Sequence, residues 1–148
     1  MKKLIAPVAL AAILFLTSCS GTASTATGDA DSKTTEVAQA VPDLTGSWIQ
    51  SNPATEDSYQ QATITDEAIT VEWVTDGGET TSIYWVGTFQ APTADGPHSW
   101  VSKRDKAATE SALLASSDET KEFTYADDKI SYKVSALGTT TTVKLQKR

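Results

Sequence analysis

One thiol, one imidazole, four adjacent acidic pairs and four indoles are the groups in this chain that could do chemistry. Cys19 is the only cysteine and His98 the only histidine. A thiolate is a nucleophile. An imidazole can serve as a base, but it needs a nucleophile beside it and a carboxylate to orient it. No Gly-x-Ser-x-Gly occurs, and His98 follows Gly96-Pro97, the place of a structural or surface residue. The pairs Glu56-Asp57, Asp66-Glu67, Asp118-Glu119 and Asp127-Asp128 lack the spaced ligands of a calcium loop and fall where the chain turns. No phosphate loop and no zinc spacing is present. The expectation is a non-enzymatic protein with no catalytic residue and no metal.

The thiol is the exception, because its surroundings name a reaction done to it. Lys2 and Lys3 form a positive start, Leu4 to Leu16 an uncharged apolar run, and Thr17 and Ser18 a small-residue step, which are the three parts of a secretory signal. The run is too short for a bilayer span, which needs ~20 residues. Leu16-Thr17-Ser18-Cys19 resembles the bacterial lipobox at all four positions. The resemblance implies a diacylglyceryl group on the Cys19 sulfur and cleavage after Ser18, with Leu16, Thr17 and Ser18 read by the peptidase. It places the protein on the extracytoplasmic face of the cell membrane, with membrane lipid as its partner through Cys19 and no cofactor besides that lipid. Two acyl chains make a stable anchor, at ~0.8 kcal/mol per buried CH2. A lipidated Cys19 leaves no thiol for a disulfide, so the domain beyond must be held by its core.

The formal charge is −7, and removing residues 1–18 takes away two lysines and no acid. Such an acidic surface keeps the chain soluble and repels nucleic acid. Residues 19–40 are rich in Ser, Thr, Ala, Gly and Asp and carry no aromatic residue, which predicts a disordered tether behind the lipidated cysteine. The domain then spans 41–148.

Period-2 alternation dominates that domain. Strands are expected at Thr45–Gln50, Tyr59–Thr65, Ile69–Trp73, Thr80–Phe89, His98–Lys103, Lys121–Tyr125, Lys129–Ser135 and Thr139–Gln146. Ile83, Trp85 and Phe89 fall on one face of the fourth, with Tyr84 and Val86 on the other. Gly87 there marks a bulge or the close approach of another strand. Asp76-Gly77-Gly78 is the strongest hairpin turn, and 105–115 reads as a short helix, with a strand and loose loop as the rival. Short connections make antiparallel neighbours. The fold class is therefore all-β, an up-and-down meander of about eight strands, either a small barrel or a curled open sheet.

Gly46-Ser47-Trp48 resembles the Gly-x-Trp signature of lipocalins, which implies a calycin-like barrel whose closed end Trp48 plugs. In that family a basic residue of the last strand packs on the tryptophan; Lys144 is the nearest candidate. Gly46 is expected to leave room beside the ring. Leu44-Thr45-Gly46-Ser47-Trp48 also resembles the opening strand of avidin-type biotin binders, but the residues that hold biotin's ureido group do not align. Over nearly the whole domain the chain is similar to small lipoproteins of Gram-positive bacteria and their temperate phages. That resemblance rests on the Trp48 strand, the Asp76 turn, Ile83-Tyr84-Trp85, Lys121-Glu122-Phe123-Thr124-Tyr125 and Ala136-Leu137-Gly138-Thr139-Thr140-Thr141. It implies a surface-anchored β domain and carries over no catalytic residue. Two roles follow: binding a small apolar ligand or a cell-surface protein, or acting as a prophage-encoded surface interference factor. Trp73, Trp85, Trp100 and Tyr84 are the expected contacts for such a ligand or partner, and Gly46 and Trp48 are structural.

Overall fold

The computed structural model describes residues 40–136 and 138–148. Cys19, the 16–18 step and the expected tether therefore lie outside the described residues. Eight strands follow one another: β1 Gly46–Gln50, β2 Tyr59–Ile64, β3 Ala68–Thr75, β4 Thr80–Thr88, β5 His98–Lys103, β6 Thr120–Ala126, β7 Lys129–Ala136 and β8 Thr139–Lys147. The expected strands are all present, with ends moved by a residue or two. The sheet order is β4-β3-β2-β1-β8-β7-β6-β5, with every pair antiparallel. First and last strands pair, so the meander curls round until β4 and β5 face each other. Among the described residues a single bridge joins them, Gly87 to Arg104. The result is a nearly closed, barrel-like sheet with one seam.

Glycine makes that seam. A Cβ on Gly87 would sit 2.5 Å from Ser102 Oγ and 2.6 Å from the Lys103 carbonyl oxygen, distances no side chain tolerates. Its absence lets β5 press against β4. There Asp105 N–H donates to the Val86 carbonyl at 2.8 Å and Lys103 N–H to Thr88 Oγ1 at 2.9 Å. The 105–115 segment supplies only one helical turn, α1 Lys106–Thr109, capped by the Asp105 carboxylate accepting from Ala108 N–H at 3.1 Å. Among the described residues no helix is long and apolar enough to cross a membrane.

Alternating side chains fill the interior, as in small barrels generally. Trp48, Ile64, Ile69, Val71, Trp85, Phe89, Trp100, Phe123, Ile130, Val143 and Leu145 form one continuous core. The fourth strand departs from the expected faces. Val71 pairs with Trp85 but Glu72 pairs with Ile83, so Tyr84 is an extra residue in β4. This bulge turns Tyr84 inward beside Trp85 and leaves Ile83 half-buried. Two expectations at the start of the sheet also change. Gly46 has φ +108°, and a Cβ there would meet only Lys147 Cε at an ordinary 3.8 Å. Backbone conformation, not room for the ring, calls for glycine. The last-strand residue opposite Trp48 is Lys147, while Lys144 pairs with Ser131 further along β8.

Candidate functional site

Because the strands alternate in direction, their ends gather into two rims. One rim holds the incoming segment before β1, the Asp127-Asp128 turn and the 89–97 connection. It is plugged. Trp48 is 2% exposed, donates its Nε1–H to the Leu44 carbonyl at 2.9 Å and sets its ring edge-on to Tyr125. Lys147 Nζ ties the incoming segment down by donating to the Asp43 carbonyl at 2.7 Å.

The other rim is a mouth. A recess of about 380 Å3 opens there, walled by Trp73, Val134, Val143 and Ala136 and bounded by the 51–58 loop. Among the described residues no charged side chain lines it. Its amides are already engaged. Gln50 Oε1 accepts from Gln60 N–H at 2.8 Å, and Gln50 Nε2 donates to the Asn52 carbonyl at 3.2 Å. Asn52 Nδ2 donates to the Thr142 carbonyl at 3.0 Å, and its Oδ1 accepts from Lys144 N–H at 2.9 Å. These bonds brace the rim against β8. A site built this way offers an apolar wall, one indole and no charge.

One pleat deeper, Tyr132 donates its hydroxyl hydrogen to Gln60 Oε1, while the buried Gln60 Nε2 has no partner among the described residues. Burial, with Tyr84 close by, pushes the Tyr132 phenol well above the ordinary tyrosine range. Tyr84 links this layer to the mouth, edge-on to Trp73 at 5.7 Å and stacked on Tyr132 at 6.4 Å.

A second recess, also about 380 Å3, lies in the wall between β6 and β7. Their pairing runs from Ala126–Lys129 only as far as Phe123–Tyr132, though both strands continue. Lys121 stands in the gap, its side chain 5% exposed. Its Nζ lies 5.2 Å from the Tyr84 ring centroid and 5.3 Å from that of Trp85. It donates to Asp118 Oδ2 at 3.0 Å and reaches the Lys133 carbonyl at 3.5 Å. The Ser116 hydroxyl and then Lys121 hold the Asp118 carboxyl below its ordinary value.

Of the expected contact residues only Trp73 lines the mouth. Trp85 is fully buried with Nε1–H donated to Ser102 Oγ at 3.0 Å, Trp100 stacks on Phe123 at 5.2 Å, and Tyr84 is buried beneath Trp73. His98 Nε2 lies 2.8 Å from the Gln90 carbonyl and so donates to it, and its ring stacks on Trp100. Lys121 and Gln60 did not stand out in the sequence. The available signal was their phase: Lys121 alternates with Phe123 and Tyr125, and Gln60 with Ala62 and Ile64. Among the described residues no group of three or more His, Asp or Glu could hold a metal ion. Comparison with protein-family models, with curated proteins and with solved structures finds no match for this chain.

Proposed function

We propose that this protein is a lipoprotein, held at the extracytoplasmic face of the cell membrane by a lipid on Cys19, whose barrel takes a small, uncharged, apolar ligand into its mouth and does no chemistry on it. The observation that carries the binding role is the Trp73 recess, an apolar concavity without a charge in a chain of net charge −7. A charged ligand would lose its hydration there without gaining a partner. The signal residues and lipobox support the anchor. The described chain enters the barrel at the plugged rim, opposite the mouth, so entry and binding do not compete for the same end.

Metabolic labelling with an alkyne fatty acid tests the anchor. The wild-type protein should label and Cys19→Ala should not; equal labelling would rule the anchor out. A second reading, contact with a surface protein, draws on Leu113 and Leu114. Both are exposed on the β5–β6 connection at the mouth end, Leu113 fully so. A prophage-encoded interference factor would use such a contact. Deleting the gene should then change adsorption or DNA entry of related phages, and unchanged infection would dismiss that role.

A further inference from the structure

We propose that the recess between β6 and β7 is a second, separate binding site, for a small organic monocarboxylate whose carboxyl group takes the place of Asp118 on the Lys121 ammonium. A buried ammonium requires a partner, because desolvation without one is costly. The barrel itself supplies only a long contact to the Lys133 carbonyl and the faces of Tyr84 and Trp85. Among the described residues the one close anionic partner comes from outside the sheet. Asp118 lies on the loop before β6, is itself 61% exposed, and accepts a 2.8 Å hydrogen bond from Ser116 Oγ on the same loop. It can swing into water without disturbing a strand.

The recess is where the displaced carboxylate would be replaced. Asp118 and Lys121 both line it, so the path to Nζ runs through the space the aspartate now borders. The opening exists because the β6–β7 ladder stops at Phe123–Tyr132, in a stretch where an unbroken pair would close it. Hydroxyls of Thr120, Ser131 and Ser135 line the walls and suit a neutral polar remainder. Charge sets the class. Lys121 and Lys133 in the lining are matched by Glu122 and the displaced Asp118, so one carboxylate takes the place Asp118 leaves on Nζ, whereas a dianion such as phosphate brings a second charge for which no cation is left. The site shares no described lining residue with the mouth and does not depend on the ligand there.

Titration of the 15N-labelled full chain with sodium acetate, at ionic strength held constant with sodium chloride, tests this. The Lys121 ammonium and the Ser131 amide should shift saturably in the wild-type protein. Asp118→Asn removes the internal competitor and should tighten acetate binding about fivefold, the equivalent of ~1 kcal/mol. Lys121→Met should abolish the response, and sodium phosphate should give no saturable shift. Absence of a saturable shift in both the wild type and Asp118→Asn would overturn the site, and Asp118→Asn keeps that outcome accessible if Lys121→Met does not fold. An undiminished response in folded Lys121→Met, or phosphate binding as tightly as acetate, would overturn it equally.

Discussion

Trp48 and Gly87 hold the two places where the barrel closes. Trp48 is buried at the plugged rim, and its indole N–H is spent on the Leu44 carbonyl. Trp48→Ala should cost ~3–5 kcal/mol, and Trp48→Phe much less, in chemical denaturation. For a disulfide-free domain with ~5–15 kcal/mol in total, the first change approaches the limit of folding. Gly87→Ala puts a methyl group against the Lys103 carbonyl, which is backbone and cannot step aside. That variant should melt at lower temperature, by the ~1–3 kcal/mol of an overpacked site. Two titrating residues shape the pH dependence from opposite sides. Asp118 has a lowered pKa, so its contribution is full above the ordinary aspartate value near ~3.9 and is lost as pH falls through the folded value. Tyr132 has a raised pKa, so its contribution is full below ~10 and is lost as pH rises beyond that. Denaturation across pH should therefore show a shallower acid limb for Asp118→Asn and a shallower alkaline limb for Tyr132→Phe.

At the scale of the elements, turn chemistry and alternation explain why the strand order was legible. Ile69-Thr70-Val71-Glu72-Trp73 keeps a strict period of two, and the Asp127-Asp128 pair marks the β6–β7 turn without ambiguity. Both aspartates have positive φ, 51° and 58°, the backbone of a type I′ turn where Asn-Gly is favoured. Asp128→Gly should stabilise the hairpin by up to ~1 kcal/mol, net of the lost bond from Tyr125 Oη, and thermal melting would register the gain. Gly87 marks the close approach of β5, and the β4 bulge, at Tyr84, left no mark of its own in the sequence. One inserted residue flips every side chain beyond it, and Ile83-Tyr84-Trp85 is apolar in either register. The gap between β6 and β7 was equally silent, since both strands keep their alternation through it. Lys121 falls in phase with Phe123 and Tyr125, but only the fold brings Asp118 to it.

At the scale of the molecule, the closure of the sheet follows from β1 pairing with β8, a contact between the two ends of the domain that no local pattern encodes. Alternation says which side chains face inward but not whether four indoles fill the interior or line a cavity. Trp48, Trp85 and Trp100 fill it; of the four, Trp73 is left at the mouth. The barrel is thus packed from the plugged rim upward, with its uncharged recess at the far end. Native mass spectrometry of the protein purified under native conditions from its host tests whether that recess holds a ligand. A small neutral molecule should be bound, retained by Trp48→Phe and lost from Trp73→Ala. A wild-type protein that flies empty, or a bound molecule that Trp73→Ala retains in full, would contradict a ligand-binding mouth.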